Sequence, residues 1–206
     1  MPFGLCDASG RRQGMDTASQ AQQTIGDQVP WYGMTMDYTE KVCELIPEEL
    51  WDWRPEDPQG HFQASLGAIA MHCADERHDH AQTLSGETDR SVFFTVSPGK
   101  DGINRFREGV SKQDVLASLR AGRALLDRYA HLPADRLTDV TEGAKATYKR
   151  QIASVQEQGI DTTQMEMRGA PGIFRVLMGV ACHEAGHRGT LYTLLRLNGV
   201  SVPAEG

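Results

Sequence analysis

The sequence predicts an all-α protein whose helices form a four-helix bundle with long loops between them. Apolar side chains recur every three or four positions in four separate segments, which is the spacing of one face of an α-helix. Strand-like residues are confined to a single short run at 91–96. Four amphipathic helices bury their apolar stripes most simply by packing against one another, so a bundle is the expected architecture.

The first two helices are predicted over 31–46 and 65–84. The first carries apolar residues at helical spacing and is stopped by Pro47, because proline removes a backbone donor and clashes inside a helix. Between the two helices, Pro55 and Pro58 indicate a turn. The second helix carries a stripe of apolar residues with small residues between them: Leu66, Ile69, Ala70 and Cys73.

The last two helices have recognisable ends. Ser111, followed three residues later by Asp114, resembles a capping box, so a helix is expected to begin there and to run to about residue 132. The final helix opens after Gly172 and stops before Gly199. At ~1.5 Å per residue, this last helix is about 37 Å long.

Two segments between the helices are polar and weakly patterned, 85–110 and 134–170. A short helix is predicted within the second segment at 144–156, followed by an extended piece near 164–168. The four long helices are therefore expected to carry the fold, and these two segments to connect them.

Composition and charge exclude several classes of protein. The chain of 206 residues has 21 Lys+Arg against 28 Asp+Glu, a net charge of −7 that repels phosphate, so a nucleic-acid partner is not expected. No apolar run approaches the ~18 residues of a membrane-spanning helix, so no membrane association is expected. The 4 cysteines include no CxxC pair and no secretory signal is recognisable, which is typical of reduced thiols in a cytoplasmic protein.

The length predicts one domain, since domains usually span about 100–200 residues. Residues 1–29 are rich in glycine and polar residues and carry apolar side chains without a period. They are expected to form a poorly ordered extension. Residues 30–206 are expected to form the helical domain.

Two histidines lie one helical turn apart in the last predicted helix, in the sequence His183-Glu184-Ala185-Gly186-His187. Residues four apart share a helix face, with Cβ atoms about 6 Å apart, so both imidazoles can reach one divalent ion. They interrupt an apolar stripe, where two unpaired imidazoles would be costly to bury. The alternative is a chance pair of surface histidines.

A third imidazole comes from His72, in the middle of the predicted helix 65–84 and close to its apolar stripe. Three histidines from two facing helices would leave coordination positions open, as catalytic metal sites require. Glu76, four residues after His72, shares its helix face and is a candidate catalytic base or acceptor for an imidazole N–H. The alternative for Glu76 is a carboxylate on a solvated helix face.

Other residues near these positions are expected to have no part in the site. Glu184 lies about 100° from His183 around the helix, so a salt bridge is expected rather than a metal bond. His61 is expected in a loop. Two histidines are expected to be exposed on a polar stretch, and two cysteines to be small core residues: His78 and His80, and Cys73 and Cys182.

Three motifs follow one another along the chain: LWDWRP at 50–55, SLGAIAMHCADE at 65–76 and HEAGHRGTLYTLLRLNGV at 183–200. Together they resemble the first loop, the second helix and the C-terminal helix of the DinB-like (DinB/YfiT) superfamily. The resemblance covers about residues 31–203. It departs from the family pattern at Gly186, where a histidine often precedes the last ligand.

The resemblance implies a four-helix bundle that holds a divalent metal, usually Zn or Ni, with His72, His183 and His187. Characterised members of the superfamily include thiol-dependent transferases and isomerases. The resemblance therefore implies a small-molecule substrate, a low-molecular-weight thiol as cosubstrate, and a homodimer. A bound cation lowers the pKa of a thiol or a water and makes a nucleophile at neutral pH, which fits this chemistry.

Two other functions are compatible with the sequence. In one, a metal-dependent hydrolase uses a metal-bound water, with Glu76 as its base. In the other, the metal only stabilises the bundle and the protein is not an enzyme. Three good ligands and no obvious fourth favour the open, catalytic kind of site over a closed structural one.

Overall fold

The computed structural model describes residues 23–56, 64–98 and 104–203. These residues are mostly helical, which confirms the all-α prediction, and none of their helices is long and apolar enough to cross a lipid bilayer. The described helices are α1 (Ile25–Gln28), α2 (Pro30–Leu45), α3 (Leu66–Ser85), α4 (Lys112–Ala130), α5 (Glu142–Glu157), α6 (Thr163–Arg168) and α7 (Ile173–Leu197). The strands β1 (Thr95–Pro98) and β2 (Asn104–Phe106) form an antiparallel pair. Two short 3₁₀ helices span Glu48–Leu50 and Ala134–Arg136.

Four long helices, α2, α3, α4 and α7, pack on one another and carry most of the buried apolar surface. α5 has 16 residues, as α2 does, but buries only Gly143 and Ala144. α3 packs against α4 and α7, and α2 also packs against α4 and α7, while α4 and α7 touch each other more lightly, so each of the four has at least two neighbours among the others. α5 covers a further side of α3. The buried apolar side chains fall into two clusters, represented by Leu66, Leu116 and Leu191 in one and by Tyr32, Leu126 and Leu177 in the other.

Two of the long helices, α3 and α4, begin directly after serine residues that cap their first turn. Ser111 Oγ accepts a hydrogen bond from Asp114 N at 3.1 Å, and Asp114 Oδ2 accepts one from Ser111 N at 3.3 Å, which confirms the predicted capping box. Ser65 caps α3 in a similar way by accepting from Ala68 N. At the other end of α3, Gly86 has a φ of 81°, the left-handed conformation that glycine adopts without steric cost.

The structure corrects the domain boundary predicted at residue 30. Ile25 and Val29 are buried, with exposed fractions of 0% and 2%, and belong to the second apolar cluster. Ile25 N also donates to the carbonyl oxygen of Leu132 at 2.8 Å. A single turn of four residues is too short to show helical periodicity, so the sequence pattern did not reveal it. Residues 1–22 lie outside the described residues.

Two short segments differ from the sequence prediction. The piece near 164–168, expected to be extended, is α6, and Tyr148 of α5 donates to the carbonyl oxygen of Met165 within it. The strand-like run 91–96 lies mainly before β1, which begins at Thr95. In both places contacts with neighbouring elements decide the conformation. A segment of five or six residues is too short for its hydrophobic spacing to distinguish a helix from a strand.

One arginine in the interior contacts all four long helices. Arg77 of α3 has no exposed surface, and its five N–H groups all meet acceptors. Two of its nitrogens donate to the two carboxylate oxygens of Glu184 on α7, at 2.6 and 3.0 Å. The other donors bind three oxygens on α2 and α4: Glu40 Oε1 and the carbonyl oxygens of Met36 and Leu119.

The guanidinium of Arg77 keeps its charge although neither it nor its partner Glu184 touches solvent. Burial alone would lower the pKa of the Arg77 guanidinium, yet Glu184 and Glu40 outweigh burial and raise this pKa above its usual range. The two-pronged contact also fixes the relative orientation of the two groups. Removing either partner would leave the other charge buried and uncompensated, which is costly.

We expect Arg77→Met to lower the free energy of unfolding by about 3–5 kcal/mol, because it leaves the Glu184 carboxylate buried without its counter-charge. Urea unfolding followed by circular dichroism measures the change. Arg136→Met is the matched control, because the side chain of Arg136 is 54% exposed and pairs with Asp139 at the surface. Its loss should cost about 1 kcal/mol or less. Equal losses in the two variants would contradict the role assigned to Arg77.

The loop after α2 packs its first tryptophan on α3. Trp51 is buried, its Nε1 donates to the carbonyl oxygen of Val110 at 3.2 Å, and its own carbonyl accepts from Gly67 N at 2.8 Å. A Cβ atom at Gly67 would lie 2.6 Å from Trp51 Cε2, so the indole ring occupies space that only a glycine leaves. The motif at 50–55 is thereby attached to the helix that carries His72.

Gly67→Ala should destabilise the protein by about 1–3 kcal/mol, because the added methyl group overlaps the Trp51 ring. Gly33→Ala in α2 is the matched control. Among the described residues, no atom from outside the same stretch of α2 would lie within 4 Å of a Cβ added at Gly33. Alanine is the better helix former, so this control should be neutral or up to about 1 kcal/mol more stable. Thermal unfolding of both variants checks the prediction, and an unchanged stability in Gly67→Ala would refute the proposed packing.

Candidate metal centre

The three histidines predicted as ligands come together between α3 and α7. Nε2 of His183 lies 2.9 Å from Nε2 of His72 on α3, and 2.9 Å from Nε2 of His187 one turn further along α7. The ring centroids of the three pairs are 5.0, 4.7 and 4.6 Å apart. All three side chains are half-buried, and their nitrogens form a group that could hold a metal ion.

Hydrogen bonding alone does not account for this arrangement. An imidazole nitrogen carries either one hydrogen or one lone pair, so Nε2 of His183 can form only one linear hydrogen bond. It nevertheless has two nitrogen neighbours at 2.9 Å. A cation would instead take one lone pair from each ring. Two metal–nitrogen bonds of about 2.0–2.1 Å place their nitrogens about 2.9 Å apart at the right angle of an octahedral ion and about 3.3 Å apart at a tetrahedral angle, so the spacing is close to that around one shared cation.

Two of the three imidazoles, those of His72 and His187, are held in the neutral form that metal ligands need. Burial, followed by the charges of His187 and His183, lowers the pKa of His72 to about 4. Burial also lowers the pKa of His187, and the charge of His183 acts in the same direction. Near pH 7 these nitrogens therefore keep their lone pairs available to a cation.

Glu76 lies beside the three histidines but outside the group of ligand atoms. Its Oε1 is 3.9 Å from Nε2 of His72, and its Oε2 is 3.5 Å from Nδ1 of His80. Burial raises the pKa of the Glu76 carboxyl above its usual range, against the opposing charges of His183 and His80. The structure thus places the Glu76 carboxylate next to His72 and His80 and outside the group of three histidines.

Glu184 is next to His183 in the chain but projects into the interior, where it pairs with Arg77. The expected salt bridge is therefore confirmed. This pair also affects the metal centre, because the two-pronged contact restricts the rotation of α7 about its axis. Since neighbouring residues lie about 100° apart around a helix, holding Glu184 against Arg77 directs His183 and His187 towards His72.

Three side chains near the site differ from the prediction. His78 is buried rather than exposed, and its Nε2 lies 3.1 Å from Ser118 Oγ of α4. His80 is half-buried, with 23% of its side chain exposed. Cys182 is exposed instead of in the core, whereas Cys73 is buried as predicted. α3 packs against α4, α5 and α7, and the sequence of one helix does not show how many neighbours will cover it.

Arg77 is the important position that sequence reasoning missed. A signal for it existed, because Arg77 follows Ala70 and Cys73 at helical spacing and so continues the buried stripe of α3. A charged residue in such a stripe indicates a buried partner. His61, predicted to be in a loop, lies outside the described residues.

Comparison of the chain with family models, with curated proteins and with solved structures gave no significant match. The three histidines, Glu76 and the interior pair of Arg77 and Glu184 are the features on which a functional proposal can be based.

The purified protein should carry about one divalent metal ion per chain, as measured by elemental analysis. His72→Ala, His183→Ala and His187→Ala should each weaken metal binding by at least about 100-fold, because losing a ligand costs more than losing an outer partner. His131→Ala is the matched control, since His131 is exposed at the end of α4. Full retention of metal in all three ligand variants would reject the assignment.

Proposed function

We propose that the chain is a divalent-metal-dependent enzyme that activates a low-molecular-weight thiol, of the S-transferase or isomerase type. The proposal is based on the convergence of three imidazole nitrogens, without a fourth ligand group among the described residues. Catalytic metal sites use three protein ligands and keep positions for substrate or water, whereas structural sites are closed by four. The half-buried position of the three histidines leaves such positions accessible.

Zn or Ni is the proposed ion, because imidazole nitrogens are suitable ligands for both. When bound, the ion would lower the pKa of a coordinated thiol and make the thiolate available as a nucleophile at neutral pH. The residues of the chain would hold the ion with His72, His183 and His187 and accept the thiol proton on Glu76. Partial burial of these side chains would limit the access of bulk water to the reacting group.

The resemblance to the DinB-like superfamily supports the same proposal at the level of the fold. We propose that α2, α3, α4 and α7 are the four helices of a bundle of that type, since each packs against two of the others and Arg77 binds all of them together. A cytoplasmic homodimer acting on a small molecule is part of this proposal. It is based on the resemblance and on the reduced state expected of the cysteines.

Metal-dependent hydrolysis is the second candidate function. It is favoured by Glu76, whose carboxylate lies 3.9 Å from Nε2 of His72 and could take a proton from a water as well as from a thiol. The two candidates differ in their cosubstrate. Turnover of an electrophile by the metal-loaded protein requires a thiol in the first case and proceeds in water alone in the second.

Glu76→Gln should lower turnover by about 100-fold and leave the metal content unchanged, because it removes a proton acceptor but no ligand. The assay follows an aryl halide electrophile with a panel of low-molecular-weight thiols and the metal-loaded protein. Glu142→Gln is the control, since the side chain of Glu142 is 89% exposed at the start of α5. Absence of turnover with every thiol would reject the transferase proposal, and thiol-independent hydrolysis of an ester would favour the second candidate.

A further inference from the structure

A line of side chains leads along α3 away from the three histidines. His72, Glu76 and His80 follow one another at one-turn intervals, and Glu76 lies within 3.9 Å of His72 and 3.5 Å of His80. His80 Nδ1 donates to the carbonyl oxygen of Glu76 at 2.9 Å. Its Nε2 faces Gly179 of α7, where an added Cβ would lie 3.3 Å away. Gly179 is one turn before His183, so α7 packs closely on α3 at His80. The side chains of His72, Glu76 and His80 are 21%, 24% and 23% exposed, so they form a partly exposed path along this side of α3.

This path ends in a cavity of about 310 Å³ bordered by α3, α5 and the start of α7. Its lining is mostly polar and includes His80, Tyr148, Gln151 and Arg175. A second cavity, of about 240 Å³, adjoins it and shares four lining residues: Asp79, Thr83, Thr147 and Gln151. Together the two form a groove along α3 and α5 whose end nearer to the metal centre is lined by His80, about two turns of α3 beyond His72.

The groove is more cationic than the rest of the protein. The chain as a whole has a net charge of −7. The walls of the two cavities nevertheless carry three arginines against two carboxylates: Arg90, Arg150 and Arg175, and Asp79 and Glu87. The carboxylate of Asp79 lies 4.0 Å from Arg90, which partly compensates its charge.

Arg175 is the cation of the cavity nearer to the metal centre. It is exposed at the start of α7, and no ion pair with a described residue involves it. A guanidinium presents two parallel N–H groups that match a carboxylate, which makes arginine the usual residue for recognising that group. The amide of Gln151 lines the same cavity and offers further hydrogen bonds.

We propose that this cavity binds the carboxylate end of the substrate, with Arg175 as the residue that recognises it. This proposal rests on the proposed function, because the reacting end of the same molecule would lie at the metal centre. His183 and Arg175 are eight residues apart on α7, which corresponds to about 12 Å along the helix axis. An extended tripeptide spans about 10 Å, so a thiol of tripeptide size that carries a carboxylate has the required length.

Binding of two related thiols to the Co²⁺-loaded protein tests the proposal. The probes are glutathione and its diethyl ester, which keeps the thiol and lacks the carboxylate charges, with 2-mercaptoethanol as a minimal thiol. The thiolate-to-cobalt absorption band reports binding at the metal. The unmodified protein should bind glutathione about tenfold more tightly than the ester, because a charge-assisted pair forms only with the carboxylate. Arg175→Gln should remove this preference and leave binding of the ester, binding of 2-mercaptoethanol and the metal content unchanged.

The matched control is Arg196→Gln, which makes the same change in charge at an exposed position near the other end of α7. It should keep the preference for glutathione. Equal binding of glutathione and its ester by the unmodified protein would overturn the carboxylate site. So would equal effects of the two arginine variants, which would indicate a general effect of charge. An absence of the absorption band with all three thiols is a different result, because it would reject the thiol function itself and the carboxylate site with it.

Discussion

The buried pair of Arg77 and Glu184 is the interaction on which the arrangement of the long helices depends. Both side chains are fully excluded from solvent, where a single unpaired charge would be strongly unfavourable. The guanidinium can satisfy all five of its N–H groups only if α2, α4 and α7 are each in place around α3. Apolar packing allows neighbouring helices some freedom to slide and rotate, whereas this set of directed hydrogen bonds requires one arrangement.

The metal centre is a consequence of that arrangement. Glu184 follows His183 directly, and Arg77 lies five residues after His72, so the interior pair and the histidine cluster occupy neighbouring turns of the same two helices. A rotation of α7 that broke the ion pair would also move His183 and His187 away from His72. The half-buried position of the three histidines follows from the same packing, and for His72 and His187 it lowers the pKa, so these two rings are neutral and available to a cation near pH 7.

Features with a periodic or local cause could be predicted from the sequence. The four long helices, the capping box at Ser111 and the pair of His183 and His187 depend on spacing along one helix, which the sequence displays directly. His72 lies on another helix, and its assignment to the same site depends on its place near an apolar stripe and on the resemblance of its motif. Features that depend on neighbouring elements could not. α1 is a single turn that is buried by contacts with other helices, and α6 has too few residues to show a hydrophobic period. The burial of His78 depends on its contact with α4. Arg77 combines both cases, since its buried position follows from the apolar stripe but its partner lies 107 residues away.

The coordination of the metal tests the proposed thiol-binding site most directly. X-ray absorption measures it on the Zn- or Ni-loaded protein with and without a thiol. The proposed function predicts three imidazole nitrogens at about 2.0–2.1 Å together with ligands from solvent, and replacement of one solvent ligand by sulfur at about 2.3 Å when the thiol is added. A closed set of four protein ligands that does not change on addition of a thiol would contradict it.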